Sequence, residues 1–281
     1  MSADHLRLPP ELFGGYAFDL DGTLHIGGIA LPGAAETLAR IRAAGRPVAF
    51  VTNNPLHTAD DYADMLRGMG IEAAAADVVT ATGALVSYLT ATHPAARLLV
   101  VGETPLRTTL AASGFTVTDD PGGTDIVVAS FDRTFDYAKL NAAYRAVRLH
   151  GARLVATNPD PYCPTPDGGL PDCAAMLAAI EACTGATAEA IAGKPSRHMA
   201  AAVLDRLGTG GRTAMVGDRL ATDMAMARGA GMVSVLVLTG ATRPADLAAS
   251  DPAERPDYVI GNLSELLPGT PAGQARRLER A

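Results

Sequence analysis

Two aspartates, Asp19 and Asp21, follow a short apolar run and stand one residue apart. The run Tyr16-Ala17-Phe18 is typical of a buried strand. On an extended backbone, residues two apart point to the same face, so the two carboxylates are expected side by side. Such a pair is costly unless a cation lies between the carboxylates or one of them holds a proton. Gly22 then permits a tight turn, and Thr23 is suited to cap the next segment.

An acidic turn at the end of a strand would explain Asp21 and Gly22 alone, because Asp-Gly is a common turn pair. It does not explain the longer string Asp-Leu-Asp-Gly-Thr directly after an apolar strand. We therefore favour a functional carboxylate pair at residues 19 and 21.

A hydroxyl and two amides, Thr52, Asn53 and Asn54, follow a second predicted strand, Pro47 to Val51. In open α/β sheets ligands bind at the carboxyl edge of the strands, where Asp19 is also expected. A hydroxyl, an amide and the free N–H groups at a helix start together suit an anion. The alternative is an ordinary helix cap, since Thr and Asn are preferred there. With Asp19 on the same edge, a phosphate site is the better interpretation.

Lys194 stands between Gly193 and Pro195, directly before a predicted helix from Ser196 to Leu207. A lone lysine is usually a solvated surface charge. This one is held between two conformationally special residues, so its ammonium is suited to bridge a carboxylate and a phosphate as a point charge.

A second pair of carboxylates, Asp218 and Asp223, follows the predicted strand Thr213 to Gly217. Carboxylates at a strand end, across a turn into a helix, suit a hard cation that prefers oxygen ligands. Asp223 near the helix start is also favoured by the helix dipole. The alternative is an acidic helix cap without a metal.

The elements that must position these residues alternate between strand and helix, which predicts an α/β fold with a doubly wound parallel sheet. Between residues 83 and 186 a second α/β pattern of domain size interrupts the first. The predicted organisation is a Rossmann-like core in two parts, residues 1–82 and 187–281, with an inserted smaller α/β cap domain, residues 83–186. The tail after Pro271 is polar and is expected to be frayed.

A proline-rich segment from Asn158 to Gly169 follows the last predicted strand of the insertion. Its prolines and glycines are expected to keep it out of helix and sheet, and long ordered loops are often functional. Asn158 and Asp160 follow the strand directly and are candidates to reach a cleft. The alternative is a stiff connector in which they make Asx turns, and both interpretations stay open here.

Composition restricts the class of function. The 281 residues carry a net charge of −7 and no Trp, which argues against a nucleic-acid surface. There is no signal-peptide pattern and no apolar run long enough to span a membrane. Three cysteines without Cys-x-x-Cys spacing predict reduced thiols in a cytoplasmic protein, with a metal site on them as the weaker alternative.

Taken together, the motifs resemble those of the haloacid dehalogenase (HAD) superfamily, in particular subfamily IIA, whose large α/β cap lies between the second and third motifs. That branch includes nitrophenyl phosphate, phosphoglycolate and sugar phosphate phosphatases. The matching stretches, in order, are Asp-Leu-Asp-Gly-Thr (19–23), Val-Thr-Asn-Asn (51–54), Gly-Lys-Pro (193–195) and Gly-Asp-x-x-x-Thr-Asp (217–223).

This resemblance implies a Mg²⁺-dependent phosphatase that hydrolyses a small-molecule phosphate monoester through an aspartyl-phosphate. It implies Asp19 as nucleophile and Asp21 as general acid and base. The phosphate would be held by Gly22, Thr52, Asn53, Asn54 and Lys194, and the metal by Asp19, Asp21, Asp218 and Asp223. Asn158 and Asp160 match a cap stretch of the branch and are candidate substrate residues, and a homodimer through the cap is usual in the branch.

Three stretches depart from the branch: Pro55-Leu56-His57, His25, and Leu170-Pro171-Asp172-Cys173 in place of a glycine-richer turn. All lie on the expected substrate side, so the identity of the ester stays open. A phosphotransferase or phosphomutase would share the same core residues. From other classes, a signalling receiver would lack the large insertion, and a non-catalytic phospho-ligand-binding protein would not need every catalytic position filled.

Overall fold

A computed structural model describes residues 6–165, 168–208 and 210–268, and the predicted frayed tail after Pro271 lies outside them. Numbered along the chain, the strands are β1 (Gly15–Asp19), β2 (His25–Ile26), β3 (Ile29–Ala30), β4 (Val48–Thr52), β5 (Val78–Thr80), β6 (Arg97–Val101), β7 (Thr116–Val117), β8 (Ile126–Ala129), β9 (Arg153–Ala156), β10 (Tyr162–Cys163), β11 (Leu170–Pro171), β12 (Ala190–Ile191), β13 (Thr213–Gly217), β14 (Val233–Val237) and β15 (Tyr258–Ile260). The α-helices are α1 (Ala34–Ala43), α2 (Ala59–Gly68), α3 (Ala81–Thr92), α4 (Thr104–Ala112), α5 (Tyr137–Tyr144), α6 (Cys173–Thr184), α7 (Arg197–Leu207), α8 (Ala225–Gly229) and α9 (Pro244–Ala249).

The first sheet has six parallel strands in the order β15-β14-β13-β1-β4-β5. Strand β1 lies at its centre and all five of its residues are buried. Parallel strands covered on both faces are expected to be largely apolar, and these are, with most of their polar residues at the strand ends. The predicted doubly wound α/β fold is confirmed.

The two faces of this sheet bury different side chains because successive residues of a strand alternate. Tyr16 and Phe18 pack into a cluster of large side chains with Phe50 and Tyr62. The intervening Ala17 faces the other cluster, in which α3 and α7 pack. The small side chains on that face let these helices approach the sheet closely.

Helix ends follow from local sequence. Thr58 and Asp61 form a capping box at the start of α2, in which each side chain accepts from the other residue's N–H. The Ser196 hydroxyl accepts from the Met199 N–H, which fixes the start of α7 immediately after Lys194. Gly208 ends α7 in the left-handed region, with φ +55°.

The second sheet has five strands in the order β12-β9-β8-β6-β7, and all of its pairings are parallel. Strand β12 pairs with β9, so this sheet continues beyond residue 186, the predicted end of the insertion. The core and cap boundaries therefore stay a proposal. Of the described helices, none has both the length and the apolar character needed to cross a bilayer.

The expectation that residues 158–169 stay out of β-structure is wrong. Within and just after this segment, β10 and β11 form a two-stranded antiparallel ladder, in which Cys163 pairs with Leu170 and Tyr162 with Pro171. A two-residue edge strand tolerates Pro171 because an edge residue need not donate an N–H to a ladder. Pro159, Pro161 and Pro164 lie outside the paired residues.

Candidate active site

Three buried carboxylates lie together at the carboxyl end of the first sheet. One carboxylate oxygen each from Asp19, Asp218 and Asp223 lies within 4.8 Å of the others. Asp19 ends β1 and Asp218 follows β13, and these strands are parallel neighbours in which Phe18 pairs with Val216. The two carboxylates therefore meet at one sheet edge, as the sequence predicted.

Lys194 places its ammonium between two of these carboxylates. Its Nζ donates to Asp19 Oδ1 at 2.5 Å and to Asp223 Oδ1 at 2.7 Å, and the residue is only 3% exposed. Burial by itself lowers the pKa of Lys194, but the attraction of Asp19 and Asp223 outweighs it and the pKa is raised. The ammonium is therefore charged at every physiological pH.

The cluster carries more negative than positive charge. Burial raises the pKa of all three aspartates; Lys194 opposes the rise at Asp19 and Asp223, whereas the nearby carboxylates add to it at Asp218. Asp218 Oδ2 accepts from the Ala241 N–H at 2.5 Å, but its buried Oδ1 has no hydrogen-bond partner. An unpartnered carboxylate oxygen among two further carboxylates fits a hard cation with oxygen ligands.

Glycines make this crowding possible. Gly22 has φ +86°, and a Cβ at that position would lie 2.5 Å from Asp218 Oδ2. A Cβ at Gly240 would clash with the same carboxylate, and one at Gly217 would clash with Asp223. The backbone at these turns therefore packs directly against the acidic side chains, and there is no room for a Cβ atom at these glycines.

Asp21 lies beside the cluster but, unlike Asp19, keeps 23% of its side chain exposed. Burial raises its pKa, while Lys194 and a hydrogen bond from Asn54 oppose the rise. Buried His25, whose pKa burial lowers, places Nδ1 3.7 Å from Asp21 Oδ1. A carboxyl group with a raised pKa and access to solvent is suited to exchange a proton with a substrate oxygen or with water.

Asn53 holds Lys194 in place. Its Oδ1 accepts from the Lys194 N–H at 2.7 Å, and its Nδ2 donates to the Lys194 carbonyl at 3.1 Å and to Asp160 Oδ2 at 2.7 Å. The side chain is thus engaged by protein on both its oxygen and its nitrogen. Nearby, Thr52 Oγ1 accepts from the Asn54 N–H at 3.1 Å, which shapes the turn after β4.

Arg219, which the sequence analysis passed over, links the carboxylate cluster to the proline-rich segment. Its backbone N–H donates to Asp223 Oδ2 at 3.0 Å, and its Nη1 lies 3.5 Å from Asp160 Oδ1. Its Nη2 donates to the Tyr162 carbonyl at 2.8 Å, and its guanidinium stacks 4.8 Å from the Tyr162 ring. The sequence feature that could have identified Arg219 is its position directly after Asp218, within the motif Gly-Asp-x-x-x-Thr-Asp.

These contacts form a closed ring of five polar residues, two of which take part through a backbone N–H, and we call it the clamp ring: Lys194, Asp223, Arg219, Asp160 and Asn53. The contact between Asn53 and Lys194 closes the ring. Three of its members flank or belong to the carboxylate cluster, and Asp160 belongs to the proline-rich segment. Placement of Lys194 therefore depends on that segment as well as on the first sheet.

Asn158 is fully buried, and both polar atoms of its amide are hydrogen-bonded to neighbouring protein groups. Its Oδ1 accepts from the Asp160 N–H at 2.9 Å, an Asx turn, and its Nδ2 donates to the Asn53 carbonyl at 3.0 Å. This is the geometry of the connector interpretation. Asp160, by contrast, lines the same cavity as Asp19.

The cavity above the cluster is small, about 30 Å³. Asp19 and Lys194 line it on the side of the first sheet, together with the predicted residues Asp21, Thr52, Asn53 and Asn54. Tyr162, Cys163 and Asp172 line the side of the proline-rich segment. Burial raises the pKa of the Cys163 thiol to about 12, so Cys163 is uncharged there.

Comparison with known proteins agrees with this geometry. A family profile described as haloacid dehalogenase-like hydrolase matches residues 16–116, and one described as HAD-hydrolase-like matches residues 191–266. The sugar-phosphatase AraL of Bacillus subtilis is 32% identical, over 90% of this chain and 91% of its own. The D-glycerol 3-phosphate phosphatase of Mycobacterium tuberculosis is 36% identical, over 88% of this chain and 69% of its own.

Solved structures agree as well. A 4-nitrophenylphosphatase from Thermotoga maritima superposes with a TM-score of 0.83 at 36% identity, covering 90% of this chain and 95% of that one. The glycerol phosphate phosphatase of Mycobacterium tuberculosis in complex with magnesium superposes with a TM-score of 0.81 at 35% identity, covering 90% and 77%. With these relatives and the carboxylate cluster in place, the chain belongs to the haloacid dehalogenase-like hydrolases, in subfamily IIA, and is a phosphoric monoester hydrolase.

Proposed function

We propose that this enzyme hydrolyses the phosphate monoester of a small sugar or polyol, with Asp19 as the nucleophile. The observation that carries the proposal is the Asp19–Lys194 contact at 2.5 Å inside a buried cluster of three carboxylates. A carboxylate cannot approach a phosphate dianion unless positive charge neutralises both. The relatives named sugar phosphatase and glycerol phosphate phosphatase support the same substrate class.

In the first step, an Asp19 carboxylate oxygen attacks phosphorus while the bond to the leaving oxygen breaks, which gives an aspartyl-phosphate. Asp21 donates a proton to the departing oxygen. In the second step, Asp21 accepts a proton from water as the water oxygen attacks phosphorus, and the bond to Asp19 breaks. Lys194 stays beside Asp19 throughout and balances the charge of the phosphoryl oxygens.

A divalent metal completes the charge balance, and we propose Mg²⁺. Asp19, Asp218 and Asp223 would hold it, with Asp21 contributing as the resemblance implies. When bound, the ion supplies Lewis-acid stabilisation of the phosphoryl oxygens. The fit rests on the buried, unpartnered Asp218 Oδ1.

Phosphate contacts of residues 52–54 are proposed to come from the turn rather than from the Asn53 amide. The Asn53 side chain already forms hydrogen bonds with Lys194 and Asp160. Asn54 Oδ1 accepts from the Leu56 N–H at 3.0 Å, so that amide also shapes the turn. The Asn54 N–H donates to Thr52 Oγ1, and the Gly22 N–H donates to the His25 carbonyl at 2.8 Å. We therefore propose the Thr52 hydroxyl as the phosphate donor of this turn.

The test of the proposed function is a phosphate-release assay with Mg²⁺ against a panel of small esters: glycerol phosphate, sugar phosphates, phosphoglycolate and p-nitrophenyl phosphate. We expect free phosphate from sugar or polyol esters. If the phosphoryl group instead appears on a second hydroxyl, the enzyme is a phosphotransferase. If no ester loses its phosphate, the proposal is wrong.

Removal of the metal should stop turnover. We expect chelation by EDTA to reduce phosphate release to background and added Mg²⁺ to restore it, because Lys194 alone leaves the cluster with excess negative charge. The measurement is the initial rate with p-nitrophenyl phosphate across a Mg²⁺ titration. Undiminished turnover in excess chelator would contradict the metal site.

Substitution of Asn158 separates the two interpretations of the proline-rich segment. Because the Asn158 amide is buried and bonded to neighbouring protein groups, we expect Asn158→Ala to lower kcat/KM by one common factor, about tenfold, for all esters with an uncharged leaving group, as buried hydrogen bonds are lost. The measurement is kcat/KM for the sugar, glycerol and p-nitrophenyl esters of the panel. A change in the ranking of these esters would show instead that Asn158 selects the substrate.

A further inference from the structure

Asp172 brings a carboxylate into the catalytic cavity from the start of α6. It is 3% exposed and lines the cavity together with Asp21, Asn54 and Cys163. Its Oδ1 accepts from the Cys173 N–H at 2.5 Å and lies 3.4 Å from Asn158 Nδ2.

Neither of the cationic side chains that line this cavity is free to pair with a second anionic group of a substrate, beyond its phosphate. These side chains are Lys194 and Arg219. Lys194 is engaged by Asp19 and Asp223, and Arg219 by Asp160 and the Tyr162 carbonyl. Within the described part of the chain, the side of the cavity facing the proline-rich segment is therefore acidic or neutral.

We propose that Asp172 selects the leaving group: its carboxylate accepts a hydrogen bond from a leaving-group hydroxyl and repels a leaving group that carries a carboxylate. The inference rests on the proposed function and narrows it to esters of neutral polyols, such as glycerol 3-phosphate, over esters of acids, such as phosphoglycolate. Like charges placed together in a desolvated site are strongly unfavourable, whereas a hydroxyl bonded to a charged acceptor is favourable.

The charge state of Asp172 sets the conditions of the test. Burial raises its pKa to about 7, and repulsion by Asp160 adds to the rise, while the Cys173 N–H, Asn158 and Arg219 oppose it. At pH 8 the carboxylate is mostly ionised, and at pH 6 it is mostly protonated. Discrimination against phosphoglycolate should therefore weaken in the native enzyme as the pH falls from 8 to 6.

The decisive variant is Asp172→Asn, because Asn is as good a helix N-cap as Asp but carries no charge. At pH 8 we expect the ratio of kcat/KM for glycerol 3-phosphate to that for phosphoglycolate to fall about tenfold or more, since a like-charge contact is removed. The ratio should also lose its dependence on pH. Asp136→Asn is the matched control, since Asp136 caps α5 on an exposed site and accepts from the Lys139 N–H at 2.8 Å.

A binding measurement keeps this inference separate from the proposed function. Dissociation constants for both esters are measured by calorimetry on Asp19→Asn and on the double variant Asp19→Asn/Asp172→Asn, in which turnover plays no part. The same shift of at least about tenfold in the ratio of affinities is expected. If Asp172→Asn fails to fold, Asp172→Ser, which also caps a helix without charge, replaces it.

An unchanged ratio in both the rates and the affinities would overturn the role of Asp172. That result is distinguishable from failure of the proposed function, which would appear as absence of phosphate release from every ester by the native enzyme. A native enzyme that prefers phosphoglycolate at pH 8 would also overturn the inference while leaving the phosphatase assignment intact.

Discussion

Asp19→Asn should abolish phosphate release while the protein stays folded. The amide has the size of the carboxylate but is a poor nucleophile, so we expect kcat to fall by about 10⁴-fold or more. The fold should survive because the substitution removes one anion from a buried cluster that already carries excess negative charge. In EDTA the Tm of the variant should equal or exceed that of the native enzyme.

The measurements are phosphate release with Mg²⁺, circular dichroism and thermal unfolding. Asp64→Asn is the matched control, since Asp64 is an exposed aspartate that pairs with nearby Arg67 on α2. It should change neither rate nor Tm appreciably. Turnover by Asp19→Asn at the native rate would remove Asp19 from the role of nucleophile.

Lys194→Met should destabilise the metal-free protein more than any other single substitution in the site. The ammonium is buried against Asp19 and Asp223, and Met fills its volume without its charge. Removing one partner of a buried ion pair typically costs about 3 to 5 kcal/mol, because the remaining charges stay buried without compensation. Added Mg²⁺ should recover part of this loss, since it supplies positive charge to the same carboxylates.

The test is the Tm of the native enzyme and the variant in EDTA and in Mg²⁺. Lys139→Met is a close control, because Lys139 is the other lysine of the chain and pairs with the buried Asp132 from a site that is 32% exposed. We expect its loss of stability to be smaller and independent of Mg²⁺. Equal losses for both variants in EDTA would contradict the charge balance assigned to the cluster.

The positions of the clustered carboxylates were predictable because strand ends determine them. Asp19 and Asp218 follow apolar strands that the sequence marks clearly, and parallel neighbours place their ends together. Lys194 was predictable for a different reason, since Gly193, Pro195 and the cap of α7 restrain it locally. Its partners were less evident, because the ring that holds it joins residues far apart in the sequence.

Other elements escaped prediction for physical reasons. Strand β5 has three residues and β12 has two, too few for an alternating pattern to appear. The pairing of β10 with β11 depends on a turn among prolines and glycines, whose composition indicated only a loop. Asn53 looked like a phosphate ligand because an amide suits an anion, yet long-range contacts with Lys194 and Asp160 already engage that amide.

The clamp ring also bears on how the enzyme acquires activity during folding. Its contacts join Asn53 to residues 107 and 141 positions away, and Asp19 lies 175 positions from Lys194. Contacts of such long sequence separation form late, because the intervening chain must first be ordered. A chain that has not yet been synthesised as far as residue 194 therefore has Asp19, the proposed nucleophile, but not the ammonium. We expect hydrolysis only after Lys194 has packed against Asp19, so unfinished chains should not consume phosphate esters.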